Sequence, residues 1–218
     1  MKVVEIFQSI DGEANRAGFI TNFIRLSECN LRCSYCDTCY AQNESDGVEM
    51  NVNEILNKLD FNIKNVTLTG GEPLLHKENV SCLLKKLIEN GFNVSVETNG
   101  SINIKEYIEE FPTVSYIVDY KSPSSNMENK MILENFEVVR NIDCVKFVVS
   151  NLEDLKTMEK VYKEKNLEDR NINVFVSAVF NEINLEDIVN YLKLRKLNGI
   201  RLQLQMHKII WNPMKKGV

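Results

Sequence analysis

The chain has 218 residues, of which 44% are hydrophobic, and a formal net charge of −5 at pH 7. This length and composition fit one domain, residues 1–218, with a sizeable core. The acidic balance argues against a general nucleic-acid binder, which needs a basic surface for phosphates. No apolar run reaches membrane-spanning length, and the first residues lack the apolar core of a signal peptide. We therefore expect a cytoplasmic protein with no membrane and no nucleic-acid partner.

The first 51 residues predict two strands on either side of a turn, followed by a cysteine-rich loop. Residues 3–7 and 21–26 have the composition of strands, and residues 8–13 have the polar, glycine-containing composition of a turn. The loop, residues 29–40, follows the second strand directly. A polar stretch, residues 43–51, predicts a flexible connection.

Residues 51–204 alternate short apolar strands with amphipathic helices. This alternation predicts right-handed crossovers and a parallel sheet. Helices cover one side of the sheet, and the chain has too few strand–helix units for a full eight-fold barrel. We therefore expect an α/β fold, an incomplete TIM-type barrel of parallel strands with outer helices. Strands are predicted over 66–69, 94–97, 116–119, 145–149, 174–179 and 200–204, and helices over 53–59, 80–90, 104–111, 130–140 and 185–196 and after residue 151.

Local signals mark the ends of several of these helices. Asn151, with Asp154 three residues later, predicts the start of one helix. Gly91 and Gly199 stand where two other helices are expected to end.

The cysteine-rich loop contains three thiols with the spacing Cys-x3-Cys-x2-Cys, at Cys29, Cys33 and Cys36. An iron–sulfur cluster held by three cysteines leaves one iron open for another ligand. A structural zinc site closes with four ligands, and Cys39 would supply the fourth. The spacing favours iron–sulfur but leaves zinc open.

Two further cysteines lie outside the loop. Cys82 falls in a helical pattern and Cys144 in a strand pattern, so we expect both in the core. Six cysteines also fit a reducing compartment.

Polar clusters follow four successive predicted strands. The first is the cysteine-rich loop; the others are residues 70–72, with two glycines and Glu72, residues 97–100, and residues 119–125. Paired glycines permit close approach of a ligand to the backbone, and Glu72 can receive an ammonium group. Because the carboxyl ends of parallel strands face one side of a barrel, these clusters predict a single site.

The cysteine spacing with Gly70-Gly71-Glu72 resembles the signature of the radical S-adenosylmethionine (SAM) superfamily. Within it, residues 10–13, 36–38, 119–125 and 205–211 resemble the 7-carboxy-7-deazaguanine synthase family. The resemblance implies a radical SAM core with a 4Fe–4S cluster, SAM and Mg²⁺. It implies conversion of 6-carboxy-5,6,7,8-tetrahydropterin to 7-carboxy-7-deazaguanine with release of ammonia, in queuosine and 7-deazapurine biosynthesis. It also implies an external electron donor, flavodoxin or ferredoxin, and the short chain is consistent with a homodimer.

The resemblance assigns roles to individual residues, and it makes residues 205–218 a substrate-side segment. Glu13 and Arg25 are the expected catalytic residues, since a guanidinium suits a bidentate grip on the substrate carboxylate. Asp11 and Ser177 stand where relatives have glutamine. The expected cluster ligands are Cys29, Cys33 and Cys36, with Thr38 on Mg²⁺; the SAM contacts are Tyr35, Cys36, Asp37, Gly71, Glu72, Asp119, Tyr120, Lys121 and Ser122; the substrate contacts are Ile10, Asp11, Gly12, Glu13, Arg25, Thr69, Ser177, His207 and Pro213.

Two other functions use some of the same residues. A radical SAM activating enzyme, which makes a glycyl radical on a partner protein, shares the cluster but has no need of Glu13, Arg25 and Thr38. A zinc-stapled binding module would use the four cysteines of the loop and would be indifferent to SAM.

Overall fold

A computed structural model describes residues 1–213 and 215–218. In these residues a single nine-stranded sheet has the order β3-β1-β2-β4-β5-β6-β7-β8-β9. The strands are β1 (Lys2–Ile10), β2 (Ile20–Leu26), β3 (Val48–Glu49), β4 (Asn65–Gly70), β5 (Asn93–Thr98), β6 (Ser115–Lys121), β7 (Cys144–Val149), β8 (Asn173–Ala178) and β9 (Ile200–Leu202). The helices are α1 (Val52–Leu56), α2 (Lys77–Glu89), α3 (Lys105–Glu110), α4 (Asn135–Val138), α5 (Leu152–Glu164), α6 (Leu185–Arg195) and α7 (Met206–Ile210).

The sheet is parallel from β2 onward and open at both edges. β2 pairs in parallel with β4, and each following strand pairs in parallel with the next, whereas β1 is antiparallel to both β2 and β3. The Ala14 backbone amide, after β1, donates to Gln203 Oε1, after β9, at 2.6 Å, so the two ends of the sheet are linked across the partial barrel. The predicted α/β fold, an incomplete TIM-type barrel with outer helices, is confirmed.

The two faces of the sheet have different chemistry because side chains alternate along each strand. Tyr116, Val118 and Tyr120 of β6 belong to the main hydrophobic core, which also contains the apolar faces of α2 and α5. The intervening Asp119 and Lys121 lie on the concave face. This alternation places charged side chains inside the partial barrel.

Three predictions about local structure were wrong. Residues 8–10 continue β1 instead of forming a turn, because they pair with the start of β2. Residues 43–51 are ordered by a turn capped by Asn43 and by β3, which pairs with β1. Within the predicted helix 130–140 only Asn135–Val138 is α-helical. The buried Asn135 side chain, at its start, bonds to the Ile104 amide and to the Gly100 and Ile102 carbonyls.

The helix-end signals were correct for α5 and α2 and wrong for α6. Asn151 Oδ1 accepts from the Asp154 amide at 3.0 Å, as predicted, and Gly91 follows α2 with a φ of 75°. α6 is instead ended by Lys196, with a φ of 55°, three residues before Gly199. Gly199 lies against the hydroxyl group of Tyr162 on α5, which an added Cβ would meet.

Of the two cysteines expected in the core, Cys144 is buried and Cys82 is exposed. In the sequence Cys82 stands between Val80 and Leu83, which are both buried on α2. The helical pattern alone therefore did not show that the Cys82 side chain points to solvent. None of the helices formed by residues 1–213 and 215–218 is long and apolar enough to cross a membrane.

Candidate functional site

The turn after β1, residues 11–19, lies across the concave face at the amino-terminal ends of the parallel strands; we call it the floor turn. Arg16 donates to the carbonyl of Asn93, which starts β5, at 2.9 Å. Ala14 packs with buried residues of β6, β7 and β8. The floor turn therefore closes one end of the partial barrel, and the cysteine loop, residues 29–40, lies at the other end.

The floor turn presents a buried carboxyl, Asp11. Its Oδ2 accepts from Thr67 Oγ1 at 3.0 Å, and the residue is 1% exposed. Burial, with a contribution from the charge of Glu97, raises the pKa of Asp11 to about 7. At neutral pH a large fraction of this buried carboxyl is therefore protonated.

A chain of alternating charges runs from the floor turn towards the cysteine loop. Glu13 Oε2 lies 2.7 Å from Lys146 Nζ, which is 3.2 Å from Asp119 Oδ1; Asp119 Oδ2 is in turn 2.6 Å from Lys121 Nζ. Burial opposes ionisation of both carboxyls, but the neighbouring ammonium groups outweigh it and lower the pKa of Glu13 and of Asp119. All four groups are therefore charged at neutral pH.

Lys146 is a site residue that sequence reasoning missed. It lies on β7, in register with Asp119 of β6, and is 7% exposed. Burial lowers the pKa of a lysine, but here Asp119 and Glu13 raise it well above its ordinary value. The signal in the sequence was a single lysine inside the apolar run of residues 144–149.

Arg25 lies on β2, and one nitrogen of its guanidinium group is already paired with a carboxylate. Its Nε donates to Glu5 Oε1 at 2.7 Å, and its guanidinium carbon lies 5.8 Å from the ring centres of both Phe7 and Tyr40. Within residues 1–213 and 215–218 its two terminal nitrogens make no hydrogen bond. They remain able to grip a carboxylate. On the neighbouring strand Thr69 Oγ1 donates to a glutamate of β5, Glu97, at 2.7 Å.

The cysteine loop is anchored by backbone contacts from distant segments. The Cys29 amide donates to the Gln42 carbonyl at 3.0 Å, and the Ser34 amide to the Ser125 carbonyl at 3.1 Å. Gly71 allows β4 to approach the loop, because a Cβ there would lie 2.1 Å from the Glu28 carbonyl oxygen. These contacts fix the loop against the ends of β4 and β6.

Three of the four loop cysteines share one environment. Cys29, Cys33 and Cys36 are half-buried, whereas Cys39 is exposed. Burial raises the pKa of Cys29 and of Cys33; the Cys36 thiol adds to the effect on both. The three thiols therefore lie near enough to influence each other.

Glu72, which the sequence suggested as a receptor for an ammonium group, is almost fully buried. Its carboxylate is 2% exposed and accepts from the Leu74 amide at 3.0 Å, from Thr98 Oγ1 at 2.9 Å and from the Asn99 amide at 2.6 Å. It therefore braces the ends of β4 and β5 with both oxygens.

Residues 119–122 divide between the two faces of β6. Asp119 and Lys121 face the site, whereas Tyr120 packs on two core phenylalanines and donates to Glu128 Oε1 at 2.8 Å. Only the backbone of Tyr120 is free to contact a ligand on the concave face. Ser122 is fully buried at the strand end.

Asp37 and Thr38 form a polar pair at the edge of the cysteine loop. Thr38 Oγ1 donates to Asp37 Oδ1 at 3.0 Å, and Asp37 Oδ2 lies 3.0 Å from Lys208 Nζ. The surrounding protein raises the pKa of Asp37, but Lys208 outweighs it and lowers the pKa to about 2. The pair offers hard oxygen atoms, already partly neutralised by a lysine.

The structure brings only some of the remaining predicted substrate contacts close to the site. The His207 ring lies against Gly12, where an added Cβ would meet Nδ1 at 2.6 Å, and Ser177 is fully buried on β8. Ile10 ends β1 half-buried. Pro213 lies exposed in a turn after α7, and its neighbour Met214 is outside the described residues.

Several buried oxygens of the site have no hydrogen-bond partner among residues 1–213 and 215–218. These are Tyr35 Oη, Ser122 Oγ, Glu13 Oε1 and Ser177 Oγ. Unpaired buried polar atoms are costly in a folded protein, so each of these oxygens fits a contact with a bound polar ligand. Around them, three half-buried thiols fit a cluster with an open iron better than a closed zinc site, since Cys39 is exposed. Across the same residues, no three His, Cys, Asp or Glu side chains converge on a single metal ion.

Comparison with known proteins agrees with this arrangement. A family model described as the radical SAM superfamily matches residues 24–194. The chain is 45% identical to a 7-carboxy-7-deazaguanine synthase of Clostridium acetobutylicum, over all of this chain and 99% of the relative. It is 38% identical to one of Methanospirillum hungatei, over 98% of this chain and 86% of the relative.

Two solved structures share the fold. The crystal structure of QueE from Escherichia coli matches with a TM-score of 0.73 and 19% identity, covering 94% of both chains. Streptococcus suis SuiB bound to S-adenosylmethionine matches with a TM-score of 0.57 and 14% identity, covering 84% of this chain and 51% of the other. The family model and the two relatives, rather than the shared fold, show that the chain belongs to the radical SAM superfamily and, within it, to the 7-carboxy-7-deazaguanine synthase family.

Proposed function

We propose that the protein converts 6-carboxy-5,6,7,8-tetrahydropterin to 7-carboxy-7-deazaguanine and ammonia, in queuosine and 7-deazapurine biosynthesis. The observation that carries this proposal is the charged concave face between the floor turn and the cysteine loop. It combines a cation able to bind a carboxylate, Arg25, with an acceptor able to bind N–H groups, Glu13. A carboxylated pterin has both kinds of group.

Cys29, Cys33 and Cys36 would hold the 4Fe–4S cluster, and SAM would complete the coordination of the open iron. When bound, these groups supply the one-electron chemistry that starts the rearrangement by removing a hydrogen atom from the substrate. The orphaned hydroxyls of Tyr35 and Ser122 support a polar ligand beside the cysteine loop.

The protein's own side chains bind and orient the substrate. Arg25 binds the carboxylate through its two terminal nitrogens, while its Nε donates to Glu5. Tyr40 donates to the same oxygen of Glu5 and so holds this pair in place. The floor turn excludes water from one end of the site. Thr69 and His207 supply further contacts at the edge of the same substrate site.

Mg²⁺ is the third proposed cofactor, with Thr38 as its protein ligand. The adjacent hydroxyl and carboxylate of Thr38 and Asp37 offer hard oxygens, and the substrate carboxylate would supply others. Replacing Thr38 by alanine should remove a magnesium dependence of turnover, whereas serine should keep it. A Thr38→Ala variant with the wild-type response to magnesium would contradict this assignment.

We further propose a single domain, residues 1–218, that works in the cytoplasm as a homodimer with flavodoxin or ferredoxin as electron donor and no nucleic-acid partner. The edge strand β9 is flanked by exposed apolar side chains, among them Leu194, 80% exposed, and Ile209, 66% exposed. Light scattering should give twice the mass of the 25.1 kDa chain. An Ile209→Glu variant should shift it towards the monomer.

The experiment that tests the activity uses anaerobically reconstituted protein with SAM, a reductant and the carboxytetrahydropterin. We expect about four irons per chain and formation of the deazaguanine with equal ammonia. Cys36→Ser should lose iron and activity, and Cys39→Ser should keep both. Bound iron and SAM cleavage without turnover of the pterin would favour the activating enzyme, and one bound zinc without iron would favour the zinc module.

A further inference from the structure

Glu13 is held in an unusual way: one carboxylate oxygen is bound and the other is unpaired. Oε2 lies 2.7 Å from Lys146 Nζ, whereas Oε1 is buried and has no hydrogen-bond partner among residues 1–213 and 215–218. The Gln205 side chain lies close enough to favour the charged form of Glu13. It makes no hydrogen bond of normal geometry that would satisfy Oε1. An ionised carboxylate is an acceptor only, so the group missing at Oε1 is a donor.

Lys146 is held from two sides. Its ammonium reaches Glu13 on the floor turn and Asp119 on β6, at 2.7 and 3.2 Å. Asp119 is fixed in turn by Lys121 at 2.6 Å. Lys146 therefore has little freedom, and neither has the carboxylate that it binds.

A purely structural role would not need this arrangement. Replacing a buried ion pair by apolar side chains is often neutral or stabilising. A pair that leaves one acceptor oxygen unpaired costs more than a fully bonded one. A donor from a bound molecule would remove that cost.

We propose that Lys146 is a positioning residue, which holds the Glu13 carboxylate through Oε2 so that Oε1 accepts a hydrogen bond from an N–H group of the bound heterocycle. This inference rests on the proposed function and deepens it, because a pterin carries amino and ring N–H donors. Lys146 acts through Glu13 and makes no contact with the substrate itself.

The test measures binding of 6-carboxypterin, an oxidised and unreactive analogue, to the reconstituted enzyme with SAM, by the fluorescence of the pterin. Lys146→Met should weaken binding about 10- to 100-fold, the loss that is typical when a partner that orients a ligating side chain is removed. Lys146→Arg should restore most of the affinity. Lys163→Met is the matched control, because it removes an ion pair of 2.6 Å with Glu159 on the outer helix α5.

A double-mutant cycle distinguishes positioning from a general structural effect. If Lys146 acts through Glu13, then Lys146→Met should have no further effect on affinity in a Glu13→Gln background. This comparison remains available if Lys146→Met alone does not fold, because the double variant leaves neither charge unpaired. Wild-type affinity in Lys146→Met, or independent losses in the cycle, would overturn the inference.

Turnover of the tetrahydropterin by the wild type separates the two proposals. A wild type that neither binds the analogue nor turns over the substrate refutes the proposed function. An active wild type together with an unaffected Lys146→Met variant overturns only the positioning role.

Discussion

Replacing Asp11 by asparagine tests whether burial keeps this carboxyl neutral in the folded protein. The residue is 1% exposed, and its pKa is raised from 3.8 to about 7, mainly by desolvation. Asparagine has the same shape and can still accept from Thr67, but it does not ionise. The variant should therefore be more stable than the wild type at neutral and alkaline pH.

The size and sign of the effect follow from linkage. Below pH 3.8 the aspartic acid is protonated in both the folded and the unfolded chain, so its ionisation does not change the free energy of unfolding. As the pH rises towards 7 the unfolded chain ionises first and wild-type stability falls relative to the variant. A shift of about 3 pKa units corresponds to about 4 kcal/mol, reached near pH 8, with about 2 kcal/mol at pH 5.

The assay is urea unfolding of both proteins between pH 5 and pH 8.5, followed by circular dichroism. Only the difference between Asp11→Asn and the wild type is used, because the other titrating groups are common to both. Asp169→Asn, which removes an exposed carboxylate, controls for the loss of one negative charge. A difference that stays constant across this pH range would refute the reasoning.

Two further substitutions test how the cysteine loop is held. Gly71→Ala should lower both iron content and melting temperature, because its Cβ would lie 2.1 Å from the Glu28 carbonyl oxygen, a backbone atom that cannot rotate away; iron content equal to that of the wild type would contradict this. Asp154→Ala should lower the free energy of unfolding by about 3 kcal/mol and weaken SAM binding, since it leaves part-buried donors of Ser124 and Ser150 unpaired beside the segment that anchors the loop. Calorimetry with SAM measures the second effect, and unchanged affinity would argue against the anchoring role.

The sheet and most of its strands were predictable because apolar runs of four to six residues recur at regular spacing. The late start of α4, at Asn135, was not, because it coincides with a buried side chain whose partners are distant in sequence. That side chain bonds to backbone groups about thirty residues earlier in the chain. No local pattern carries such a contact.

The candidate site was predictable at the strand ends and less so inside the partial barrel. The three cysteines and Gly71 are marked by spacing, and the structure brings them together. Lys146 and Glu5 are single charged residues within strands, and their importance depends on which face of the sheet they occupy. Period-two alternation could have found Lys146, since its strand neighbours are buried and apolar.

The hydrogen bond between Ala14 and Gln203 joins residues 189 positions apart. During synthesis the floor turn is among the first segments to leave the ribosome, yet its partner after β9 is among the last. Contacts between such distant segments form late, because chain closure must come first. We therefore expect the closed end of the site to form only when translation is nearly complete, and metal loading to follow folding of nearly the whole chain.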